Sequence, residues 1–448
     1  MKSNRNNIAV IISNNQTNIQ PNIHSAMLEV GQSPILCHII QNISKTNIYK
    51  IIIVHDNQLS SNDKELICNH SILMEKKIKF VKVDFTSSSR KITSDIFNAV
   101  PENTSSILLI GASAPFIRAY SMHAALNALD TKHDFNVLMP SFVALGIKYS
   151  KLDQEIKNNI ANDSDGFANN NDESLILHNT AVMAAHAKFL EKVMSDSIKR
   201  EDEISVNNII INAINNGATA IYVETLEEEI LTITNKQKLL LAEHVFQKCI
   251  RNQMIEQGVK MIAPDTVFFT ANTKVAANVI IHPYVIFEGR VVVKEGSEIK
   301  SFSHIAGAYL EENTTIGPFA RIRPDSIIKQ NAKIGNFVEI KQSAIMPKAK
   351  IPHMSYIGNA VVGAETNIGA GSITCNYNGF HKNDTIIGNN CFIGANTSLI
   401  APVQIGDNAT IAAGSVITKN VDENSLAISR CKQHTKKGKR YLGKIGKK

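Results

Sequence analysis

Aliphatic or large apolar residues recur every six positions through the second half of this chain, and that period constrains the fold more than any other feature. One array runs through Val275, Ile281, Phe287, Val293, Ile299 and Ile305, and a second through Ile316, Ile322, Ile328, Ile334, Ile340 and Met346. A third runs through Ile387, Ile393, Leu399, Ile405, Ile411 and Ile417. A period of six matches neither the helical 3.6 nor a two-residue alternation. It matches a prism whose coils each hold three short strands with one inward aliphatic per side, a hexapeptide β-helix. Glycines follow many of these positions, at Gly317, Gly335, Gly358, Gly363, Gly369, Gly388, Gly394 and Gly406, where a side chain would crowd the corner. The period breaks at TCNYNGFHKNDT (374–385), which predicts a loop leaving the prism. In a solenoid such insertions mark a functional face.

The first 235 residues follow a different pattern. The short β-branched runs IAVIIS (8–13), KIIIVHD (50–56), IKFVKVDF (78–85) and SILLIGA (106–112) are separated by segments of helical length, which predicts an α/β domain with a largely parallel sheet. Residues 161–173 are polar and predict a loop. Residues 236–256 carry apolar side chains at helical spacing and predict a connecting helix, leaving 257–448 as the β-helix domain. At 448 residues the chain is long enough for these separate cores.

Composition narrows the function classes. Apolar residues at 44% and charged residues at 19% suit a globular protein and exclude disordered or collagen-like classes. No apolar run approaches membrane-spanning length, and the apolar stretch 8–12 is too short for a signal-peptide core, so a cytoplasmic protein without membrane contact is expected. Cys37, Cys68, Cys249, Cys375, Cys391 and Cys431 show no C-x-x-C spacing, which argues against zinc and against a disulfide framework. The formal charge of +7 is local: residues 429–448 hold nine Lys or Arg and no acid, and without them 38 basic residues face 40 acidic ones. Such a tail suits a polyanion, either nucleic acid or a phosphorylated cofactor, or stands solvated with no partner. Tyr441 is its one aromatic, so nucleic acid is not the expected partner.

The strings GPFARIRP (317–324), IGNFVEIKQS (334–343), HMSYIG (353–358), NIGAGSITCNYNG (367–379) and LIAPVQIGDNATIAAGS (399–415) closely resemble one bacterial enzyme family. This is the bifunctional N-acetylglucosamine-1-phosphate uridylyltransferase/glucosamine-1-phosphate N-acetyltransferase family, which makes UDP-N-acetylglucosamine for cell-wall synthesis. The resemblance covers roughly 257–433. It implies a left-handed parallel β-helix, a homotrimer, small-molecule substrates, and acetyl-CoA as cosubstrate bound between subunits. By position it makes His353 the general base, since an imidazole can take the proton of an attacking amine near neutral pH. Glu339 is a candidate for orienting that imidazole. Arg323 and Lys341 match the sugar-phosphate contacts, where paired cations meet a dianion. Tyr356, Asn367 and Lys382 complete the sugar site, with Lys382 expected from a neighbouring subunit. For acetyl-CoA the matching positions are Ala370, Asn376, Tyr377, Ala395, Ala413 and Arg430. Two departures stand out: the family commonly has Ser where this chain has Ala395, and Asp where it has Asn378.

Over the first domain the resemblance is to the nucleotidyltransferase-like, Rossmann-like fold of the family's uridylyltransferase half, and not to its site. The family opens with L-x-x-G-x-G-T-R-M and a later P-K pair, where glycines let the backbone approach phosphates and cations neutralise them. This chain places Ser13 and Asn15 at the two glycines, Thr17 at the arginine and His24 at the lysine. The family's Y-G-D-x-P, whose Asp holds Mg²⁺, is represented by IGASAPF (110–116), which has no carboxylate. Asn235 matches a second metal ligand and Asn179-Thr180 a sugar contact, although an Asn in a loop also serves turns. No metal site is assigned. The expectation is an active glucosamine-1-phosphate N-acetyltransferase with a degenerate first domain. A fully bifunctional enzyme, an acyltransferase with another acceptor and a non-catalytic scaffold remain the alternatives.

Overall fold

The computed structural model describes residues 6–14, 19–20, 23–70, 78–130, 142–150, 166–169, 172–196 and 204–435. The chain divides into two compact units, Met1–Phe246 and Gln247–Lys448. The division falls inside one helix, Lys236–Glu256.

In the first unit the strands Ile8–Ser13, Lys50–His55, Ile78–Lys82 and Ser106–Gly111 are those expected from the β-branched runs, and they pair in parallel. Ile8–Ser13 lies at the centre, buried at every position, between Lys50–His55 and Ser106–Gly111. From it the chain steps outward to Lys50–His55 and Ile78–Lys82 and then returns to its other side at Ser106–Gly111, which makes its C-terminal end a topological switch point. The sheet extends past Ser106–Gly111 through the antiparallel strand Asp172–His186, then Phe142–Ser150 and Ala220–Glu224. Part of the stretch read as a polar loop is thus strand, at Gly166–Asn169 and at the start of Asp172–His186. Main-chain pairing at a sheet margin needs no apolar side chain, so polarity concealed it. Helices such as Ile35–Ile43, Ser89–Phe97 and Val206–Asn215 cover the sheet with apolar faces.

The second unit is a parallel β-helix built of three sheets with ten, eight and eight strands. Each strand pairs in parallel with its counterpart one coil on, as in Phe287↔Ile305, Ile322↔Ile340 and Ile340↔Ile357. The inward aliphatics form one continuous core along the axis. Its far end is closed by the connecting helix. Met254 joins the core, Gln247 exchanges hydrogen bonds with the Phe269 backbone (2.7 and 3.0 Å), and Arg251 Nη2 donates to Asp265 (3.0 Å).

The period of six is not kept on every side. The step is five from Ile305 to Leu310, from Ile340 to Ile345 and from Ile357 to Val362, and all six residues are buried. Met346 is therefore not an inward residue; Ile345 takes that place. Where a residue is dropped at a corner, counting in sixes overshoots by one and selects an outward side chain. The glycines after inward positions stand where coils touch. A Cβ at Gly335 would run into the Pro352 carbonyl, and one at Gly394 into the backbone of Ala413.

Candidate active site

His353 ends the strand Lys350–His353 of the ten-stranded sheet, the first, at the corner leading to the eight-stranded sheet that holds Glu339–Lys341 and Tyr356–Gly358, the second. Its direct partner in the preceding coil is Asn336. In the following coils the same corner carries Ala370, Ala395 and Ala413, joined by backbone bonds from Gly371 to Met354, Asn396 to Ala370 and Gly414 to Ala395, each 2.8 Å. Arg430 closes the line, its Nη1 donating to the Ala413 carbonyl at 2.6 Å. Residues far apart in sequence thus form one file with a rise of about 4.8 Å per coil.

The corner changes character at His353. On its N-terminal side Tyr284, Phe302, Phe319 and Phe337 stack with ring centroids 4.9–5.2 Å apart, exposed and at left-handed φ. On the other side Gly371, Asn396 and Gly414 take the corner positions, beside the three alanines. The aromatic ridge gives way to a track of small residues that leads from an imidazole to a guanidinium. Such a track fits a long extended ligand with an anionic end. Ala395 adds a methyl to it where a serine would add a hydroxyl.

The His353 ring is exposed, and its Nδ1 lies 2.7 Å from Asn336 Oδ1. Among the described residues no hydrogen bond joins it to Glu339. That carboxylate lies on the second sheet in register with Tyr356, and accepts from Arg323 Nη1 at 2.9 Å. Asn336 went unnoticed in the sequence; it stands one coil, 17 residues, before His353, a relation visible only once coil length is known.

Arg323 and Lys341 lie on successive coils of the second sheet. Lys382 of the same chain stands near enough to Lys341 for its charge to be felt there. Tyr377 and Lys382 pair as an antiparallel bridge, which closes the excursion 376–383 on itself. Asn378 Oδ1 accepts from the N–H groups of Phe380 (3.0 Å) and His381 (2.7 Å), a task an aspartate would perform equally, so Asn378 keeps the turn. The Lys382 ammonium, removal from water and Arg323 together hold Lys341 below its ordinary value, as expected where cations await an anion.

Tyr356 and Asn376 meet over Gly358, whose missing side chain makes room: a Cβ there would stand 2.5 Å from the Tyr356 hydroxyl and 2.9 Å from Asn376 Nδ2. Asn376 is in turn held by donating to Asn359 Oδ1 at 2.7 Å. Tyr377 is exposed and donates to the Gly379 carbonyl at 2.6 Å. Asn367 is not brought to this group. It lies on the first sheet in register with Lys350, whereas Arg323, Lys341 and Tyr356 lie on the second.

The switch point of the first unit is filled rather than cradled. Ser13 is buried, as are His24 and His55. His24 Nδ1 accepts from Ala26 N–H (3.2 Å), and its Nε2 lies 3.4 Å from Asp56. Burial lowers the pKa of His24 and of His55 despite that carboxylate, favouring neutral rings. A neutral buried imidazole does not replace an exposed ammonium. Past Gly111 the buried Ala112 and Ala114 offer no oxygen donor from their side chains. Asn235 Oδ1 accepts from Lys238 N–H at 2.8 Å as a helix cap. These residues do not fit a Mg²⁺ site. Asn15, Thr17 and the tail from 436 onward lie outside the described residues, as do the side chains of Asn179 and Thr180.

A β-helix of hexapeptide coils carrying an imidazole at a corner, preceded by an α/β sheet, defines a hexapeptide-repeat transferase with a nucleotidyltransferase-like domain. Family models agree: residues 384–419 match the hexapeptide repeat of succinyl-transferase and 304–378 the GMPPB C-terminal domain. The chain is 34% identical over 444 residues to the bifunctional protein GlmU of Wolbachia pipientis wMel, covering 98% of this chain and 100% of that one. It is 31% identical over 445 residues to the bifunctional protein GlmU of Agrobacterium fabrum, covering 97% and 95%. A solved 4-diphosphocytidyl-2C-methyl-D-erythritol synthase from Anaerococcus prevotii aligns with 55% of this chain and 97% of its own, at TM-score 0.38 and 14% identity. This chain belongs to the GlmU family, and its β-helix is the left-handed form. No helix among the described residues is long and apolar enough to cross a membrane.

Proposed function

We propose that this protein transfers the acetyl group of acetyl-CoA to the amine of glucosamine-1-phosphate, and that its first domain has lost uridylyl transfer. The observation that carries the reading is the position of His353, between a small-residue track ending at Arg430 and the cation group Arg323, Lys341 and Lys382. The track receives the extended arm of acetyl-CoA, with its phosphates toward Arg430. The cations neutralise the sugar phosphate, and Tyr356 borders that pocket. His353 takes a proton from the amine as nitrogen attacks the thioester carbonyl. The new C–N bond forms, the C–S bond breaks, and CoA leaves as thiolate. Asn367 sits on a different face from the cations, which supports a site completed between subunits of a homotrimer.

Loss of uridylyl transfer is supported by the buried His24, by Ala112 and Ala114 past the strand end, and by the capping role of Asn235. A second reading, in which both reactions persist, is favoured by full-length similarity to relatives named as bifunctional. A paired assay of the purified chain separates them. Free CoA is expected from acetyl-CoA and glucosamine-1-phosphate, and pyrophosphate at background from UTP, Mg²⁺ and N-acetylglucosamine-1-phosphate. Robust pyrophosphate release that stops on chelation would restore the bifunctional reading.

A further inference from the structure

We propose that Asn336 is the positioning residue of His353, holding the imidazole as its Nδ1–H tautomer so that Nε2 presents the free lone pair to the acceptor amine. The inference rests on His353 being the general base. Asn336 and His353 are direct partners in neighbouring parallel strands, so their side chains project side by side from the same sheet. A short Asn chain reaches the ring nitrogen nearer the backbone, and Oδ1 lies 2.7 Å from Nδ1. In a neutral imidazole one nitrogen donates and the other accepts. An amide oxygen can only accept, so this contact sets the proton on Nδ1 and leaves Nε2 basic.

The surroundings make such a partner necessary. His353 is exposed, and the next residue, Met354, turns the corner at φ 40° with 63% of its surface exposed. Packing therefore does little to hold the ring in one orientation. A general base that rotates freely and exchanges tautomers in water spends much of its time unable to take the proton. The remaining candidate, Glu339, is already engaged by Arg323.

The test compares Asn336→Ala, Asn336→Asp and His353→Ala in the full-length protein, measuring kcat and KM for both substrates alongside thermal melting. Asn336→Ala is expected to lower kcat about 10- to 100-fold, at or below the low end of a general base's contribution, with KM values within about threefold. Asn336→Asp is expected to recover activity to within about threefold of wild type, because a carboxylate accepts the same N–H bond. A merely structural role predicts no such rescue. Should the alanine variant melt early, Asn336→Val, suited to a strand, gives the same comparison. Two results overturn the proposal alone: unchanged kcat on removing Asn336 while His353→Ala is inactive, or a folded Asn336→Asp as impaired as Asn336→Ala. Near-normal turnover by His353→Ala would remove the general base, and the positioning role with it.

Discussion

In the β-helix the residues that make the fold and those proposed to carry the chemistry share the same strands. Ile340 points inward and Lys341 beside it outward; Ile351 is core and His353, two positions on, ends the same strand at the corner. In the α/β unit the two roles are separated. The core is supplied by strands such as Ile8–Ser13 and Ser106–Gly111, while a switch-point site depends on the segments beyond their ends. There the strands are intact, yet the edge is occupied by Ser13, His24 and His55, and the following segment by Ala112 and Ala114. A retained fold therefore says much about the site in the first architecture and little in the second.

The sharpest way to break this contrast is to remove one histidine from each unit. His353→Ala is expected to cut acetyl transfer by about 10²- to 10⁴-fold without changing the melting of the β-helix. His24→Ala, at the filled edge, is expected to leave acetyl transfer within about twofold, because the proposed acetyl site is built from residues of the other unit. Comparable losses from both would show that the first unit participates in the acetyl site.

Next in size are effects on the β-helix core. A fragment starting at Lys236 retains Gln247, Arg251 and Met254, which cap the first coil, and one starting at Gly258 does not. The shorter fragment is expected to be less stable by at least the about 2–5 kcal/mol of truncating one buried Met. Gly335→Ala, which drives a methyl into the Pro352 carbonyl, should cost about 1–3 kcal/mol or more. Gly379→Ala in the excursion loop meets no atom within 4 Å and should cost only the strain of its positive φ, about 1 kcal/mol. Denaturant unfolding of each variant checks all three, and equal losses at Gly335 and Gly379 would contradict the stacking argument.

What was legible in the sequence follows from the same contrast. The period of six exposed three sheets because an inward residue recurs whatever its outward neighbours do. It failed at Met346, where one residue is missing from a corner and the count slips to an outward side chain. The motif strings made His353, Arg323 and Lys341 the candidates, but gave no sign of the partner of the imidazole. Asn336 touches His353 only through coil-to-coil register, whereas Glu339, the candidate read from the sequence, accepts from Arg323. In the α/β unit the β-branched runs predicted four parallel strands, whereas the alanine-rich antiparallel strand Asp172–His186 carries no comparable signature. That Asn235 caps a helix depends on where that helix begins, which periodicity alone does not set.

A smaller effect is expected at the cation group. Lys382→Ala should raise KM for glucosamine-1-phosphate about tenfold while leaving KM for acetyl-CoA within about twofold, since one of three charges facing a phosphate is lost. An equal rise for both substrates would place Lys382 on the cofactor track instead.

The smallest expected effect separates the two units by pH. Burial lowers the pKa of His24 and His55, so the folded chain keeps both rings neutral below the ordinary imidazole value of 6.5. The unfolded chain protonates them there, and binding more protons than the folded one, it gains stability as pH falls. Asp56 and Asp63 oppose the shift at His24, and Lys64 adds to it at His55, with burial the largest cause at each. The first unit should therefore lose stability as pH drops below 6.5, until the folded rings also titrate. In the β-helix the lowered carboxylate is Glu365, paired with Lys348 at 2.8 Å, and its contribution is lost only below its ordinary 4.5. Between pH 7.5 and 5.5, amide exchange corrected for intrinsic rate is expected to accelerate about three- to tenfold in Ile8–Ser13 and Lys50–His55. The strands holding Ile334 and Ile340 should not respond. His24→Gln, which cannot titrate, should halve the response of the first unit; equal acceleration in both units would mean that the filled edge is no softer toward acid than the coils.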